Sequence, residues 1–195
     1  MKLVFATNNM HKLLEARQIL GQFSQIVSLD EVGFNSDIEE TGNTLEENAK
    51  IKAETIYAAT NLNCFADDTG LEIEVLNNRP GVFSARYAGI NHDFEANIDK
   101  VLGELAGATN RRARFRTAIC LIYNKKEYLF EGIVKGEILH KRVGSGGFGY
   151  DSIFRPDGFC KSFAELDAEE KNRISHRGLA LKNMADYISK FLLND

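Results

Sequence analysis

Two adjacent carboxylates, Asp67 and Asp68, stand in the stretch Cys64-Phe65-Ala66-Asp67-Asp68-Thr69-Gly70. Neighbouring carboxylates repel each other unless positive charge lies beside them, and a divalent cation is the usual partner. The residues that follow, Leu71-Glu72-Ile73-Glu74-Val75, alternate apolar and charged, as a strand with one buried face does. The pair is therefore expected at a turn where one short strand ends and another begins. Taken alone, the segment reads more readily as an Asp-rich turn held by local hydrogen bonds. Phosphate-binding and base-binding chemistry elsewhere in the chain shifts that balance.

A phosphate site is suggested near the N-terminus. An apolar strand at 3–6 runs into Thr7-Asn8-Asn9-Met10-His11-Lys12, and a helix is expected over 12–20. A helix N-terminus offers unpaired N–H groups and partial positive charge, to which Lys12 adds a full one. There is no glycine-rich Walker loop, so the segment is not a P-loop. Capping of the helix by Asn and Thr explains the same residues equally well. After a short strand at 25–29 comes an acidic, turn-rich stretch, 30–42, ending Glu39-Glu40-Thr41-Gly42, which by default is a solvated loop. Thr44 and Glu47 then have capping-box spacing and open a helix to about Thr60. One of Lys50 and Lys52, placed beside the acidic loop, could reach a phosphate.

Base-binding chemistry is suggested in the second half. Gly144-Ser145-Gly146-Gly147-Phe148-Gly149-Tyr150-Asp151 lets the backbone approach a ligand closely. Phe148, flanked by glycines, suits a face offered to a planar ring better than a core position. Glu169-Glu170-Lys171 leads to Ser175-His176-Arg177, which starts a final helix with Leu179, Leu181, Met184, Ile188 and Leu192 available to pack. His176 and Arg177 oppose the dipole of that helix, which hints at a role.

The elements that must position these residues form one α/β core. The chain is long enough for one buried core and short for two independent domains, and no repeat or linker marks a boundary, so a single domain over 1–195 is expected. A turn follows at 77–81, a helix at 93–105, and an antiparallel hairpin from 111–123 and 127–134 closed near Asn124-Lys125-Lys126. Arg111, Arg112, Arg114 and Arg116 read as strand-edge and surface charges. The net charge of −4 argues against a duplex DNA footprint. Three widely spaced cysteines (Cys64, Cys120, Cys160) form neither a zinc pattern nor a disulfide framework. With no signal peptide and no membrane-spanning run, a cytoplasmic protein with reduced thiols is expected.

Together these residues carry a resemblance. Thr7-Asn8-Asn9-x-x-Lys12, Phe65-Ala66-Asp67-Asp68-Thr69-Gly70, Arg79-Pro80-Gly81-Val82-x-Ser84-Ala85-Arg86-Tyr87, Gly146-Gly147-Phe148-Gly149-Tyr150-Asp151 and Ser175-His176-Arg177 are similar to the inosine triphosphate pyrophosphatase family, the noncanonical purine nucleoside triphosphate pyrophosphatases (XTP/dITP diphosphatases). The five motifs span nearly the whole chain in order. Asn8 replaces a frequent glycine, Thr69 a common serine and Ser145 a common threonine, and none of these changes removes a charge.

The resemblance implies an elongated mixed β-sheet with flanking helices forming two lobes around a nucleotide cleft, as a homodimer, with Mg²⁺ as cofactor and no nucleic acid or membrane partner. It implies that Thr7, Asn8, Asn9, Met10, His11 and Lys12 bind the triphosphate, with Lys52 as a further contact. Asp68 is the implied catalytic carboxylate and metal-site residue, next to Thr69. Glu39, or the adjacent Glu40, helps hold the metal. Phe148, Gly149, Tyr150, Asp151, Lys171, His176 and Arg177 enclose base and sugar, with His176 and Arg177 as donors to the 6-oxygen of hypoxanthine or xanthine. The implied reaction splits ITP, dITP or XTP into monophosphate and pyrophosphate. Two other readings stay open: a regulatory protein that binds purine nucleotides without hydrolysis, and a pyrophosphatase for other modified nucleotides.

Overall fold

The computed structural model describes residues 1–89 and 93–192. Its strands, in chain order, are β1 (Lys2–Phe5), β2 (Gln25–Val27), β3 (Cys64–Ile73), β4 (Arg79–Gly81), β5 (Arg112–Tyr123), β6 (Lys126–Ile138) and β7 (Phe154–Pro156). The α-helices are α1 (Met10–Leu20), α2 (Leu45–Thr60), α3 (Phe94–Glu104), α4 (Ala168–Ile174) and α5 (His176–Tyr187). The strands form a mixed sheet in the order β2-β1-β3-β5-β6-β7, with β4 paired to β3. β1 runs parallel to β2 and β3, whereas the β3–β4 and β6–β7 pairs are antiparallel. Among the described residues no helix is long and apolar enough to cross a membrane.

The chain divides into two compact units, one holding Met1–Asp68, Thr117–Gly132 and the segment from Arg177, the other Thr69–Arg116 and Ile133–His176. In the first unit, strand alternation builds a core on each face of the sheet. Leu3, Phe5 and Phe65 point to α1 and α5, where they pack with Leu13, Ala16, Leu20, Leu181 and Met184. Val4, Ala6, Cys64 and Ala66 point the other way, against Ala49, Ala53 and Ile56 of α2. The second unit has its own core, in which Phe115, Phe154 and Phe163 pack with Leu71, Ile73, Ile98 and Val101.

The local signals explain most boundaries. Thr44 caps α2 with the full capping box: its hydroxyl accepts from the Glu47 N–H at 3.1 Å, and the Glu47 carboxylate accepts from the Thr44 N–H at 3.2 Å. Asn124 (φ 49°) and Lys125 (φ 67°) both adopt the left-handed conformation that a tight two-residue hairpin between β5 and β6 requires. Helix α1 starts at Met10, two residues earlier than the sequence suggests, because Asn9 is its cap. The short helix α4, before Ser175, is an addition to the sequence reading.

The largest correction concerns Asp67 and Asp68. No turn separates two short strands there; both residues lie inside the ten-residue strand β3, buried along almost its whole length. Gly70, a turn signal in the sequence, pairs closely with β4 instead: a Cβ there would sit 2.7 Å from the Gly81 carbonyl oxygen.

Candidate active site

Alternation along β3 sends the two aspartates to opposite faces of the sheet. Asp67 continues the row of Phe65 toward α1 and α5, and Asp68 continues the row of Cys64 and Ala66 toward α2. They are therefore not one convergent pair, and each is hydrogen-bonded to different partners.

Asp67 is 1% exposed and holds two cations. Its Oδ1 accepts from Lys12 Nζ at 3.0 Å and its Oδ2 from Arg177 Nε at 3.0 Å. Arg177, 3% exposed, also donates through Nη1 to the Glu15 carboxylate. Burial alone would raise the Asp67 pKa, but Lys12 and Arg177 outweigh it and hold the carboxyl well below the ordinary carboxylate range. Burial pushes the Lys12 pKa below its ordinary value, Asp67 opposing this and Lys52 and Arg177 adding to it.

Asp68, 7% exposed, meets a different set. Its Oδ2 accepts from Asn48 Nδ2 at 3.0 Å, and Lys52 Nζ lies 3.8 Å from its Oδ1. The same ammonium donates to the Glu40 carboxylate, so one buried lysine sits against two carboxylates. Burial raises the Asp68 pKa, and Glu40 reinforces the shift against Lys52, Lys12 and Asn48. For Lys52, burial lowers the pKa but Asp68 and Glu40 win, and it is raised.

The expected phosphate loop is organised as a cap. Thr7 Oγ1 accepts from the Asn9 N–H at 3.1 Å, and Asn9 Oδ1 accepts from the His11 and Lys12 N–H groups at 3.0 and 3.3 Å. Asn8, Met10 and His11 are exposed on this loop and first helical turn. Of the two candidate lysines, Lys50 pairs on the surface with Glu127 at 2.8 Å, and Lys52 is the buried one. Of the two candidate glutamates, Glu39 is exposed and Glu40 reaches Lys52.

The base-side candidates gather in the second unit. Asp151 Oδ2 accepts from the Phe148 N–H and from Lys171 Nζ, both at 2.8 Å, and Lys171 Nζ stands 4.9 Å from the centre of the Phe148 ring. His176 is buried and stacks on Phe115, ring centres 4.5 Å apart and planes within 12°. Gly149 is a left-handed residue in this loop (φ 61°), and Thr69 lies half-buried in β3. Tyr150, expected at the ligand, is core: it is buried, and its hydroxyl donates to the Ser84 carbonyl at 2.8 Å. Arg177, expected beside His176 at the base edge, instead gives its guanidinium to Asp67 and Glu15 in the first unit.

The four basic residues of 111–116 are structural. Arg112 forms a two-bond pair with Asp157, Arg114 and Arg116 meet Glu72, and Arg111 donates to the carbonyls of Leu105, Ile138 and Leu139. Sequence reasoning did not single out Asn48 or Glu15, and it left Glu39 and Glu40 as alternatives. One signal was available: Asn48 and Lys52 lie four apart on α2, polar residues on the stripe that Ala49, Ala53 and Ile56 otherwise keep apolar.

Lys12, Lys52 and Arg177 face Asp67, Asp68, Glu15 and Glu40, so these seven groups carry net charge −1. A polyphosphate would not enter such a site unaided, and a divalent cation would turn the balance positive. Mg²⁺ takes hard oxygen ligands, usually one or two carboxylates plus substrate phosphates rather than an all-protein cage. Asp68 and Glu40 fit that demand. Among the described residues no group of three or more His, Cys, Asp or Glu side chains forms a closed metal site.

Residues 3–187 match the model of the Ham1 family. A dITP/XTP pyrophosphatase of Flavobacterium psychrophilum is 51% identical over 96% of this chain and 98% of the relative. One from Thermoanaerobacter pseudethanolicus is 47% identical over 98% of each. Among solved structures, the Ham1 protein of Staphylococcus aureus superposes with TM-score 0.88 at 39% identity, over 97% of this chain and 98% of that one. A HAM1 protein from Coxiella burnetii gives TM-score 0.89 at 40% identity, over 97% and 99%.

Proposed function

The chain belongs to the Ham1 family, and we propose that it hydrolyses noncanonical purine nucleoside triphosphates (ITP, dITP and XTP) to the monophosphate and pyrophosphate. The observation that carries this reading is the Asp68 carboxylate, buried on β3 beside Lys52 and Glu40, in the same unit as the capped α1 terminus with Lys12. Asp68 and Glu40 would hold a Mg²⁺ cofactor, which when bound would supply Lewis-acid polarisation and neutralise phosphate charge. Asp68 orients the attacking water at the α-phosphorus and takes up its proton. Lys12 and Lys52 offset the charge that develops on the pyrophosphate leaving group, while the Thr7 hydroxyl and the Asn8 side chain receive the outer phosphates. The protein works in the cytoplasm as a homodimer on free nucleotides.

On the base side, Phe148 stacks on the purine, and Lys171 and His176 supply donors. Arg177, whose Nε and Nη1 are held by Asp67 and Glu15, is a further donor beside His176. An ammonium can only donate, and the 6-oxygen of hypoxanthine and xanthine only accepts, whereas adenine presents a donor there. Each buried donor left unpaired costs about 1–3 kcal/mol, so ATP should be poorer than ITP by about 100-fold or more in kcat/KM. A panel of ITP, dITP, XTP, GTP and ATP, followed by pyrophosphate release with and without Mg²⁺, tests the whole reading. Comparable kcat/KM for ATP and ITP, or orthophosphate as the sole product, would overturn it.

The alkaline limb of the pH profile should lie lower than an ordinary lysine would place it. Lys12 must be protonated to hold phosphate, and its lowered pKa places loss of affinity below the ordinary lysine value of 10.5. Lys12→Arg keeps a cation at all accessible pH. It should therefore extend the alkaline limb upward, read as KM for ITP against pH; an unmoved alkaline limb removes Lys12 from the phosphate site.

A further inference from the structure

Asn48 is fully buried and polar, and no step above uses it. Its side-chain amide is bonded at both ends. Nδ2 donates to Asp68 Oδ2 at 3.0 Å, and Oδ1 accepts from the Gly42 N–H at 2.8 Å. The partners dictate that orientation, since a backbone N–H only donates and an ionised carboxylate only accepts. One amide thus ties β3 to the loop that carries Glu40, two residues before Gly42. The far side of the loop is fixed as well: the Glu47 carboxylate accepts from the Asn43 and Thr44 N–H groups at 2.6 and 3.2 Å.

Gly42 is shaped to this contact. A Cβ added there would stand 2.7 Å from Asn48 Oδ1, 2.7 Å from Glu47 Cβ and 3.0 Å from the Asn48 backbone nitrogen. Those neighbours belong to the first turn of α2, and the Asn48 amide is held by Asp68, so the loop itself would have to move. Residue by residue the fit is narrow. Aspartate at 48 could accept from Gly42 but could not donate to Asp68, and leucine of similar volume could do neither.

We infer that Asn48 is a positioning residue, braced by Gly42, that fixes the Asp68 and Glu40 carboxylates relative to each other and so sets the affinity for the divalent cation. The inference rests on the reading that these two carboxylates hold that cation. Groups that orient metal-binding carboxylates typically affect metal affinity or activity by about 10–100-fold when changed.

The test uses Mn²⁺ alone as probe, its binding to the full chain followed by electron paramagnetic resonance, together with kcat and KM for ITP at saturating Mg²⁺. Asn48→Ala and Gly42→Ala should each weaken Mn²⁺ binding by about 10–100-fold and lower kcat, leaving KM for ITP near wild type. Both changes break one brace, so the double variant should be no worse than the weaker-binding single variant. Gly42 lies outside the core on a half-buried loop, so Gly42→Ala keeps the test open if Asn48→Ala does not fold. Wild-type Mn²⁺ affinity in folded Gly42→Ala, or fully additive losses in the double variant, overturns the inference. A wild-type chain that fails to release pyrophosphate from ITP instead overturns the functional reading, so the two failures are distinct.

Discussion

Asp68→Asn is expected to lower kcat toward ITP by about 10²–10⁴-fold, the range for removal of a positioned proton-transfer group, while the melting temperature stays unchanged or rises. The two halves of this result have one cause. Burial raises the pKa of Asp68, so the folded state favours its protonated form. Any stability from that group is complete below the ordinary carboxylate value of 3.8 and is lost as pH rises through the raised value. At neutral pH the ionised side chain is therefore a strain on the fold, and a neutral amide of the same shape relieves it. Lys52 still has Glu40, and Asn48 can still donate to the new amide oxygen. Thermal melts and turnover at saturating Mg²⁺ check both halves. Turnover within tenfold of wild type would remove Asp68 from the reaction.

Asp67→Asn should behave in the opposite way, losing stability and activity together. Here one carboxylate, 1% exposed, compensates the buried Arg177 and the half-buried Lys12. Removing one member of a buried ion pair typically costs about 3–5 kcal/mol. For a chain of this size that corresponds to a fall of about 6–20 °C in melting temperature. Lys12, whose pKa burial already lowers, can shed its proton in the variant and recover part of the loss. That escape also removes the cation proposed to hold phosphate. The acid side separates the two aspartates further. The depressed pKa of Asp67 gives stability that is present above the ordinary value of 3.8 and is lost as pH falls toward the depressed value. Wild-type protein should therefore lose stability below about pH 4, and Asp67→Asn should lack that component. A variant as stable as wild type, with the same acid slope, would show that Lys12 and Arg177 do not depend on Asp67.

Identical side chains at adjacent positions thus receive opposite electrostatics, and their spacing of one residue is what separates them. A turn would have let both reach one cation. A continuous strand sends them to different faces, and burial on both faces decides that the strand is continuous. The sequence signals there, two aspartates followed by Thr-Gly, are turn signals wherever water surrounds them. Lys12, Arg177, Lys52 and Asn48 replace that water from α1, α5 and α2.

Much else was determined locally. Thr44 and Glu47 specify the start of α2 through atoms three residues apart, and Asn124-Lys125 specifies a hairpin through its own backbone, so both were legible without the fold. The motif order 7–12, 65–70, 146–151 and 175–177 likewise identified the family, because residue type in sequence order is what a motif records. Tertiary structure alone decided three matters: that Glu40 rather than Glu39 reaches Lys52, that Tyr150 is core, and that Arg177 serves Asp67 and Glu15. Each depends on where a side chain ends after the backbone has folded. An exposed loop leaves neighbouring glutamates equivalent in pattern, and a long arginine gives no sign of which carboxylate it will meet. Asn48 is the sharpest case: its partners are six residues before it and twenty after it, and only the packing of α2 on β3 joins them.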